Sequence, residues 1–258
     1  EDKVRELYAA CDELLVIEEG YPLVERLLRG IVAPGKKIMG KETGEIPYEG
    51  ELSPDIVRKA LGLPAIKGLA VKELTPPGRP PQLCQGCPHA DSYGALKEAL
   101  KGYPLDSVTG DRWCYTLVAS PPYSAIEATV DMGARRGMAR GAAEVGLTPT
   151  VAVIGDSTFY HSGLSNLVDA VSHHTNMTVV ILDNDTTGMT GAQPTILPSS
   201  RLEPVLKGVG VAPAHRRVLR AHKRAHGQNV DASKAERALE SPSVIDHGRG
   251  CRAANSRG

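Results

Sequence analysis

The sequence predicts an α/β protein whose parallel sheet carries helices on both faces. Residues 150–155 (TVAVIG) and 177–184 (MTVVILDN) are continuous apolar segments typical of buried strands. Between them, residues 162–174 have apolar side chains at helical spacing. Strands that alternate with helices in this way form parallel sheets, because each helix returns the chain to the same edge.

The other elements follow in order along the chain. We expect helices at 2–10, 22–30, 53–61, 89–100 and 125–146, strands at 13–20 and 106–110, and a polar glycine-rich loop at 40–52. Ser53 is the expected N-cap of its helix. Residues 75–82 (TPPGRPPQ) contain four prolines and are typical of a semi-rigid linker. The predicted domains are therefore 1–75, 76–210 and 211–258.

The composition is that of a globular protein, with 41% hydrophobic and 23% charged residues. No apolar run approaches the roughly 18–20 residues of a membrane-spanning helix, so we expect no membrane partner. A net charge of zero hides an excess of positive charge in residues 211–258, which hold ten Lys or Arg and four acids. This segment has no aromatic residue, so we expect a basic tail of uncertain order and do not expect nucleic acid as a partner.

Five cysteines are present, at positions 11, 84, 87, 114 and 251. An odd number without a signal peptide argues against a disulfide framework and favours a reducing, cytoplasmic location. Cys84 and Cys87 have the CxxC spacing, which places two thiolates on one turn. That motif alone does not distinguish zinc, an iron–sulfur cluster and a redox dithiol.

Two polar residues stand at the ends of the predicted strands. Asp156 follows the first strand and Asn184 ends the second, one strand–helix–strand crossover later. If the strands are neighbours, the two side chains meet at the carboxyl edge of the sheet, where α/β proteins bind ligands. A carboxylate and an amide oxygen suit Mg²⁺ and are poor ligands for zinc. The alternative is that Asp156 caps a helix and Asn184 is a turn residue; the spacing favours the metal site.

Longer motifs make a family resemblance specific. They are GKETGEIPYEGEL (40–52), LCQGCPHADSYGALK (83–97), CYTLVASPPYSAIEATVDMGA (114–134), GDSTFYHSG (155–163) and ILDNDTTGMTGAQP (181–194). Together they resemble the α subunit of indolepyruvate:ferredoxin oxidoreductases, which depend on thiamine diphosphate, over about residues 1–210. The resemblance implies that residues 1–75 end a transketolase C-terminal-like domain and that residues 76–210 form the diphosphate-binding domain of a thiamine-diphosphate-binding fold.

The resemblance also assigns site residues. Asp156, Asn184 and the carbonyl of Thr186 would hold Mg²⁺ on the diphosphate of the cofactor. The implied cofactor-binding residues are Gly155, Asp156, Ser157, Thr158, Asn184, Thr186, Gly188, Met189, Thr190 and Gly191. Thr190 and Gln193 are candidates for hydrogen bonds near the reacting centre. His161 is a candidate acid/base or orienting group, or is merely hydrogen-bonded beside a helix terminus.

The cysteines have an implied role as well. In related 2-oxoacid:ferredoxin oxidoreductases a CxGC pair, a third Cys about thirty residues later and a distant fourth bind a [4Fe–4S] cluster. Cys84, Cys87, Cys114 and Cys251 match that pattern. The alternative is that this motif only shapes the cofactor pocket. Cys11 is expected to be simply buried.

The sequence departs from the family pattern at several positions. Arg112 and Trp113 precede Cys114 where the family has small or apolar residues, and Arg135 and Arg136 stand in a helix expected to pack tightly. After about residue 210 the resemblance fades. The resemblance places the glutamate that activates the cofactor in an upstream domain.

The expected activity is oxidative decarboxylation of a 2-oxoacid to an acyl-coenzyme A, with electrons passed to ferredoxin. The expected cofactors are thiamine diphosphate, Mg²⁺ and one [4Fe–4S] cluster. The expected partners are the 2-oxoacid, coenzyme A, ferredoxin, a β subunit and a chain or domain that supplies the aminopyrimidine-binding half. Without that half, the chain alone is expected to be inactive. The alternatives are a non-oxidative thiamine-dependent decarboxylase and a non-catalytic metal-binding remnant.

Overall fold

The computed structural model describes residues 2–32, 35–68, 78, 80–103, 108–251 and 254. The chain divides into two compact units, residues 1–77 and 78–258. Half of the predicted linker at 75–82, residues 75–77 and 79, lies outside the described residues. Among the described residues, no helix has the length and apolar character needed to cross a membrane.

The first unit is small and built around a two-stranded parallel sheet. Its elements are α1 (Asp2–Ala10), β1 (Glu13–Leu15), α2 (Leu23–Ile31), β2 (Lys37–Met39) and α3 (Pro54–Ala60). Val16, Leu28 and Ile38 form its core. Ser53 caps α3 as predicted, since its Oγ accepts a hydrogen bond from the backbone N–H of Ile56.

The second unit is a five-stranded, wholly parallel sheet with the strand order β3-β4-β5-β9-β8. Its strands are β3 (Val108–Gly110), β4 (Val151–Gly155), β5 (Thr178–Asp183), β8 (Arg216–Arg220) and β9 (Ser243–Gly248), and β6 (Thr186–Thr187) and β7 (Gln193–Pro194) form a separate antiparallel pair. Its helices are α4 (Pro88–Ala99), α5 (Ala134–Glu144), α6 (Asp156–Thr158), α7 (Leu164–Ser172), α8 (Leu202–Gly208) and α9 (His226–Arg237). A π-helical turn, Phe159–Gly163, joins α6 to α7.

The strands bury both of their faces, and alternate residues enter two different cores. Val151 and Val153 of β4 pack with residues of α4, whereas Ala152 and Ile154 pack with residues of α5, α7 and α8. Every residue of β4 and β5 is buried. Because both faces are covered, the strands are apolar throughout instead of alternating with polar residues. The predicted fold class, α/β with helices on both faces of a parallel sheet, is confirmed.

The helix predicted at 125–146 is shorter in the structure. Residues 125–133 are not helical, and α5 begins only after Gly133. Gly133 has φ of 91°, and a Cβ there would lie 2.5 Å from Ser162 Oγ, so this position requires glycine. Its N–H donates to Asp111 Oδ2, which fixes the chain just before α5.

The tail predicted at 211–258 also needs correction, since β8, α9 and β9 belong to the second unit. β9 lies between β5 and β8 in the sheet, with Val244 and Ile245 fully buried. Helix α9 packs Val230 against Ala95 and Ala99 of α4. Three of the basic residues, Arg216, Arg217 and Arg220, lie on β8, an edge strand that keeps three of its five residues exposed. Edge strands commonly carry charged side chains that oppose aggregation.

Candidate functional site

The carboxyl ends of β4 and β5 bring Asp156 and Asn184 together. The two strands are adjacent, with Gly155 opposite Leu182. Asp156 Oδ2 accepts hydrogen bonds from the backbone N–H groups of Asn184 (3.1 Å) and Asp185 (2.7 Å). Its Oδ1 accepts from the N–H of Ser157 at 2.7 Å. A carboxylate has about four lone-pair positions. Besides these three N–H donors, the Asp156 side chain also hydrogen-bonds to the Asp183 side chain.

This edge of the sheet concentrates buried carboxyl groups. Asp156 is 5% exposed, and burial together with the nearby Asp183 carboxyl raises its pKa to about 7. Burial, Asp183 and Asp156 likewise raise the pKa of Asp246 to about 7. Asp246 Oδ1 has no hydrogen-bond partner within the described part of the chain. Carboxyl groups crowded in this way gain from a divalent cation, because it stabilises their ionised forms.

Asn184 is held from two directions. Its Oδ1 accepts from the backbone N–H of Thr186 at 3.3 Å, and its Nδ2 lies 3.4 Å from His89 Nε2. His89 is 4% exposed, and burial lowers its pKa to about 4, so the ring is neutral at pH 7. Because an amide nitrogen can only donate, this contact requires the tautomer in which Nε2 is the acceptor. The sequence reading missed His89. Its only signal is its place in the CQGCPH motif.

A cavity of about 30 Å³ lies beside these groups. It is lined by His89, Trp113, Cys114, Tyr115, Gly155, Asp156, Ser157, Thr158, Leu182, Asn184, Thr186, Thr187 and Gly188. The Tyr115 ring lies against Gly155, where a Cβ would stand 2.8 Å from Cε1 of the ring. This space is smaller than a diphosphate group, so binding one requires the lining segments to separate. The oxygen donors themselves, a carboxylate, an amide oxygen and a backbone carbonyl, fit Mg²⁺.

Five of the predicted catalytic and cofactor-binding residues do not line this cavity. Met189, Thr190, Gly191 and Gln193 are exposed. Thr190 Oγ1 donates to Gln193 Oε1 at 2.7 Å, and Gln193 Nε2 donates to the carbonyl of Thr190 at 2.8 Å. His161 is exposed on the π-helical turn and is not among the residues that line the cavity. Their assigned roles stay predictions.

Four of the five cysteines lie near one another. A Cβ on Gly188 would stand 3.6 Å from Cys251 Sγ and 3.7 Å from Cys114 Sγ, so the two thiols flank that glycine. Burial raises the pKa of the Cys114 thiol to about 11, and Cys87, Cys251 and Cys84 each add to the increase. Among the described residues, no three His, Cys, Asp or Glu side chains are arranged as ligands of one metal ion. Cluster binding would therefore require the thiols to reorient.

The cysteine group adjoins the Asp156–Asn184 edge. The carbonyl of Asn184 accepts a hydrogen bond from the N–H of Cys251 at 3.4 Å. Cys114 lines the same cavity as Asp156. The N–H of His89 hydrogen-bonds to the Cys87 thiol, and the His89 ring meets the edge of Tyr115. His89 therefore contacts both the cysteine group and Asn184 at the strand ends.

The sequence matches the family described as thiamine pyrophosphate enzyme, C-terminal TPP binding domain, over residues 112–247. The chain belongs to this family. The match runs from just before Cys114 into β9, and so includes both Asp156 and Asn184.

Curated relatives of the chain indicate a particular kind of enzyme subunit. Indolepyruvate oxidoreductase subunits IorA from Methanothermobacter marburgensis and Archaeoglobus fulgidus are 39% and 37% identical over 204 and 196 residues. These alignments cover 74% and 70% of the chain but only 32% and 31% of the relatives, so the chain spans about a third of their length. The resemblance to the α subunit of indolepyruvate:ferredoxin oxidoreductases is confirmed.

A solved structure has a similar fold. The 2-oxoglutarate:ferredoxin oxidoreductase from Magnetococcus marinus superposes with a TM-score of 0.57 at 17% identity, covering 72% of this chain and 70% of that chain. At this identity the likeness concerns the fold alone.

Proposed function

We propose that the chain is the Mg²⁺- and diphosphate-binding part of a thiamine-diphosphate-dependent indolepyruvate (arylpyruvate):ferredoxin oxidoreductase. The observation that carries the proposal is the meeting of Asp156 and Asn184 at the carboxyl ends of adjacent strands, within the region that matches the family. The overall reaction converts a 2-oxoacid and coenzyme A into an acyl-coenzyme A and CO₂. Two electrons leave singly for ferredoxin.

The residues at the strand ends would hold the cation. Asp156 would offer its carboxylate, Asn184 its Oδ1 and Thr186 its backbone carbonyl. His89 accepts from Asn184 Nδ2, which keeps the amide oxygen turned away from the ring. Gly155 allows the backbone of the turn to come close to its neighbours. Thiamine diphosphate, when bound, supplies the nucleophilic carbon and the electron sink for decarboxylation.

The four clustered cysteines would hold one [4Fe–4S] cluster. The closeness of the four thiols supports this proposal. Cys114 and Cys251 flank Gly188, and the other three cysteines each help to raise the pKa of the Cys114 thiol. Their position next to Asn184 would put the cluster close to the cofactor, which suits single-electron transfer. We expect a partner chain or domain to supply the aminopyrimidine-binding half, and we expect the chain alone to be inactive.

Anaerobic reconstitution with iron and sulfide tests the oxidoreductase assignment. The chain should gain the broad visible absorbance of a [4Fe–4S] cluster and, after reduction, its electron paramagnetic resonance signal. Cys114→Ser should lose both, whereas Cys11→Ser, in the first unit, should keep them. If the unsubstituted chain shows neither signal, the non-oxidative decarboxylase becomes the better assignment.

A further inference from the structure

A second cavity, of about 540 Å³, lies at the same edge of the sheet. Leu202 and Leu206 of α8 line it, and both belong to the core that α8 covers. The cavity of about 30 Å³ is lined instead by Tyr115 and Leu182, which belong to the other core. The two cavities therefore lie on opposite faces of the sheet, although Asn184 borders both. We call the larger one the α8 cavity.

Asp246 lines the α8 cavity with a buried carboxyl group that lacks a partner. Its residue is 9% exposed, and its Oδ1 has no hydrogen-bond partner within the described part of the chain. Asp246 stands opposite Val218 of β8 in the parallel register, and Val218 lines the same cavity. A buried charged group without a partner costs free energy, so a donor placed in this cavity would be stabilised by Asp246.

The α8 cavity carries more negative charge than its own cations compensate. Four carboxyl and three guanidinium groups line it, and they belong to Asp183, Asp185, Glu203, Asp246, Arg216, Arg217 and Arg249. Arg216 pairs with Glu203. The other two arginines pair at 2.8 Å and 2.7 Å with carboxylates outside the cavity, Glu236 and Asp91. The three remaining carboxyl groups take part in no ion pair identified among the described residues. The cavity therefore favours a positively charged ligand.

The arrangement of these carboxyl groups fits an ammonium group better than a metal ion. Ser199 Oγ already donates to Asp183 Oδ1 at 2.7 Å and lies 3.2 Å from Asp185 Oδ1, which leaves Asp246 with the unused acceptor. Within the described ranges, no three acidic, His or Cys side chains could hold one metal ion. An ammonium group needs no such geometry, because each of its three N–H bonds can reach a different acceptor.

The rest of the lining suits the carbon chain of an organic ligand. The apolar side chains of Leu202, Leu206 and Val218 line the α8 cavity, and we call them the apolar wall. The volume lies within the range of about 300–1,000 Å³ that is typical of small-molecule sites. A cavity with an apolar wall and one unpartnered carboxyl group matches a ligand with an apolar body and one positive end.

We propose that the α8 cavity binds a small organic amine, whose ammonium group pairs with the Asp246 carboxylate and whose carbon chain lies against the apolar wall. Binding is noncovalent. The site is separate from the proposed Mg²⁺ site, and the proposal does not depend on the function proposed above.

Ligand-observed nuclear magnetic resonance with n-butylammonium chloride tests the proposal on the full chain. The titration is made at pH 8 with a chelator present, so that no metal ion competes. At this pH the alkylamine is protonated, and the Asp246 carboxyl, with a pKa of about 7, is mostly ionised. Butan-1-ol and butyrate are the neutral and anionic controls of similar size. Butylammonium should bind saturably and at least about tenfold more tightly than either control, because only it can pair with the carboxylate.

Two pairs of variants locate the binding. Asp246→Asn should weaken butylammonium binding at least about tenfold, whereas Asp231→Asn, which removes an exposed carboxylate of α9, should stay within about twofold. Val218→Trp should weaken it at least about fivefold by filling the cavity, whereas Val145→Trp, at an exposed valine outside the cavity, should not. Val218 is 72% exposed on an edge strand, so this second pair does not depend on the folding of Asp246→Asn.

Three results would overturn the proposal. They are equal binding of butylammonium and butan-1-ol, unchanged binding by Asp246→Asn, and a loss in Asp156→Asn as large as that in Asp246→Asn. The last result would place the amine at the proposed cation site instead. Because metal and cofactor are absent from this experiment, a failure of Mg²⁺-dependent cofactor binding would count against the proposed function alone.

Discussion

Replacement of His89 tests how the amide of Asn184 is oriented. His89→Leu removes the acceptor that lies 3.4 Å from Asn184 Nδ2. A buried donor without an acceptor costs about 1–3 kcal/mol, and the long distance favours the lower part of that range. The amide is then free to turn its oxygen away from the cation position. Loss of an outer partner of a metal ligand typically weakens metal binding by about 10–100-fold. His89→Gln is the matched control, since its amide oxygen can accept from Asn184.

The same substitution changes the response to acid. His89 has a pKa of about 4 in the folded chain, against 6.5 when unperturbed. Because unfolding lets the ring take up a proton, the free energy of unfolding falls as the pH drops from 6.5 toward 4. At pH 5 this amounts to about 2 kcal/mol, at 1.36 kcal/mol per pH unit. Neither Leu nor Gln has this contribution, so both variants should lose about 2 kcal/mol less than the unsubstituted chain between pH 8 and pH 5.

Two measurements check these expectations. Calorimetric titration with thiamine diphosphate at several Mg²⁺ concentrations gives the metal affinity, and urea unfolding at pH 8 and pH 5 gives the stability. His89→Leu should need about 10–100-fold more Mg²⁺, whereas His89→Gln should recover most of that loss. If His89→Leu binds Mg²⁺ normally, or if His89→Gln is no better than His89→Leu, the orienting role of His89 is refuted.

Three further substitutions probe the same edge of the sheet. Asp156→Asn should weaken Mg²⁺-dependent cofactor binding more than about 100-fold. It should not lower the free energy of unfolding at pH 8, because removing a buried charge whose pKa is raised offsets the weaker hydrogen bonds that an amide accepts from three N–H groups. A large loss of stability would contradict this. Asp246→Asn should gain about 3 kcal/mol of stability relative to the unsubstituted chain as the pH rises from 4 to 7, because the folded-state pKa of Asp246 is about 7 and the unfolded carboxyl ionises near 3.8. Urea denaturation at each pH measures the difference, and a difference that does not change with pH would contradict this expectation. Gly155→Ala should destabilise the fold by about 1–3 kcal/mol, because the new Cβ would clash with the Tyr115 ring at 2.8 Å. The double variant with Tyr115→Leu should regain part of the lost melting temperature, and no recovery would argue against the clash.

The sheet was predictable where strands are buried on both faces. β4 and β5 are continuous apolar segments, which predicted both strands. The predicted site required the two strands to be neighbours, and they are adjacent in the structure. β9 was harder to recognise, because Asp246 and His247 interrupt its apolar residues. His247 is 2% exposed with neither ring nitrogen hydrogen-bonded within the described part of the chain, an arrangement that local sequence rules do not anticipate.

The site was predictable only in part, because some contacts depend on distant packing. His89 and Asn184 are 95 positions apart, and nothing local to either residue indicates the contact. The start of α5 was missed since the small residues before Gly133 are compatible with a helix, and the Ser162 side chain that excludes a Cβ comes from another element. For Thr190 and Gln193 the residue types suited a binding role, but their side chains bond to each other on an exposed turn.

The Mg²⁺ dependence of thiamine diphosphate binding tests the central claim most directly. Calorimetry on the unsubstituted chain, with Mg²⁺ and then with excess chelator, should show saturable one-to-one binding that disappears when the metal is removed. Equal binding in both conditions, or no binding with Mg²⁺ present, would contradict a cation site formed by Asp156 and Asn184.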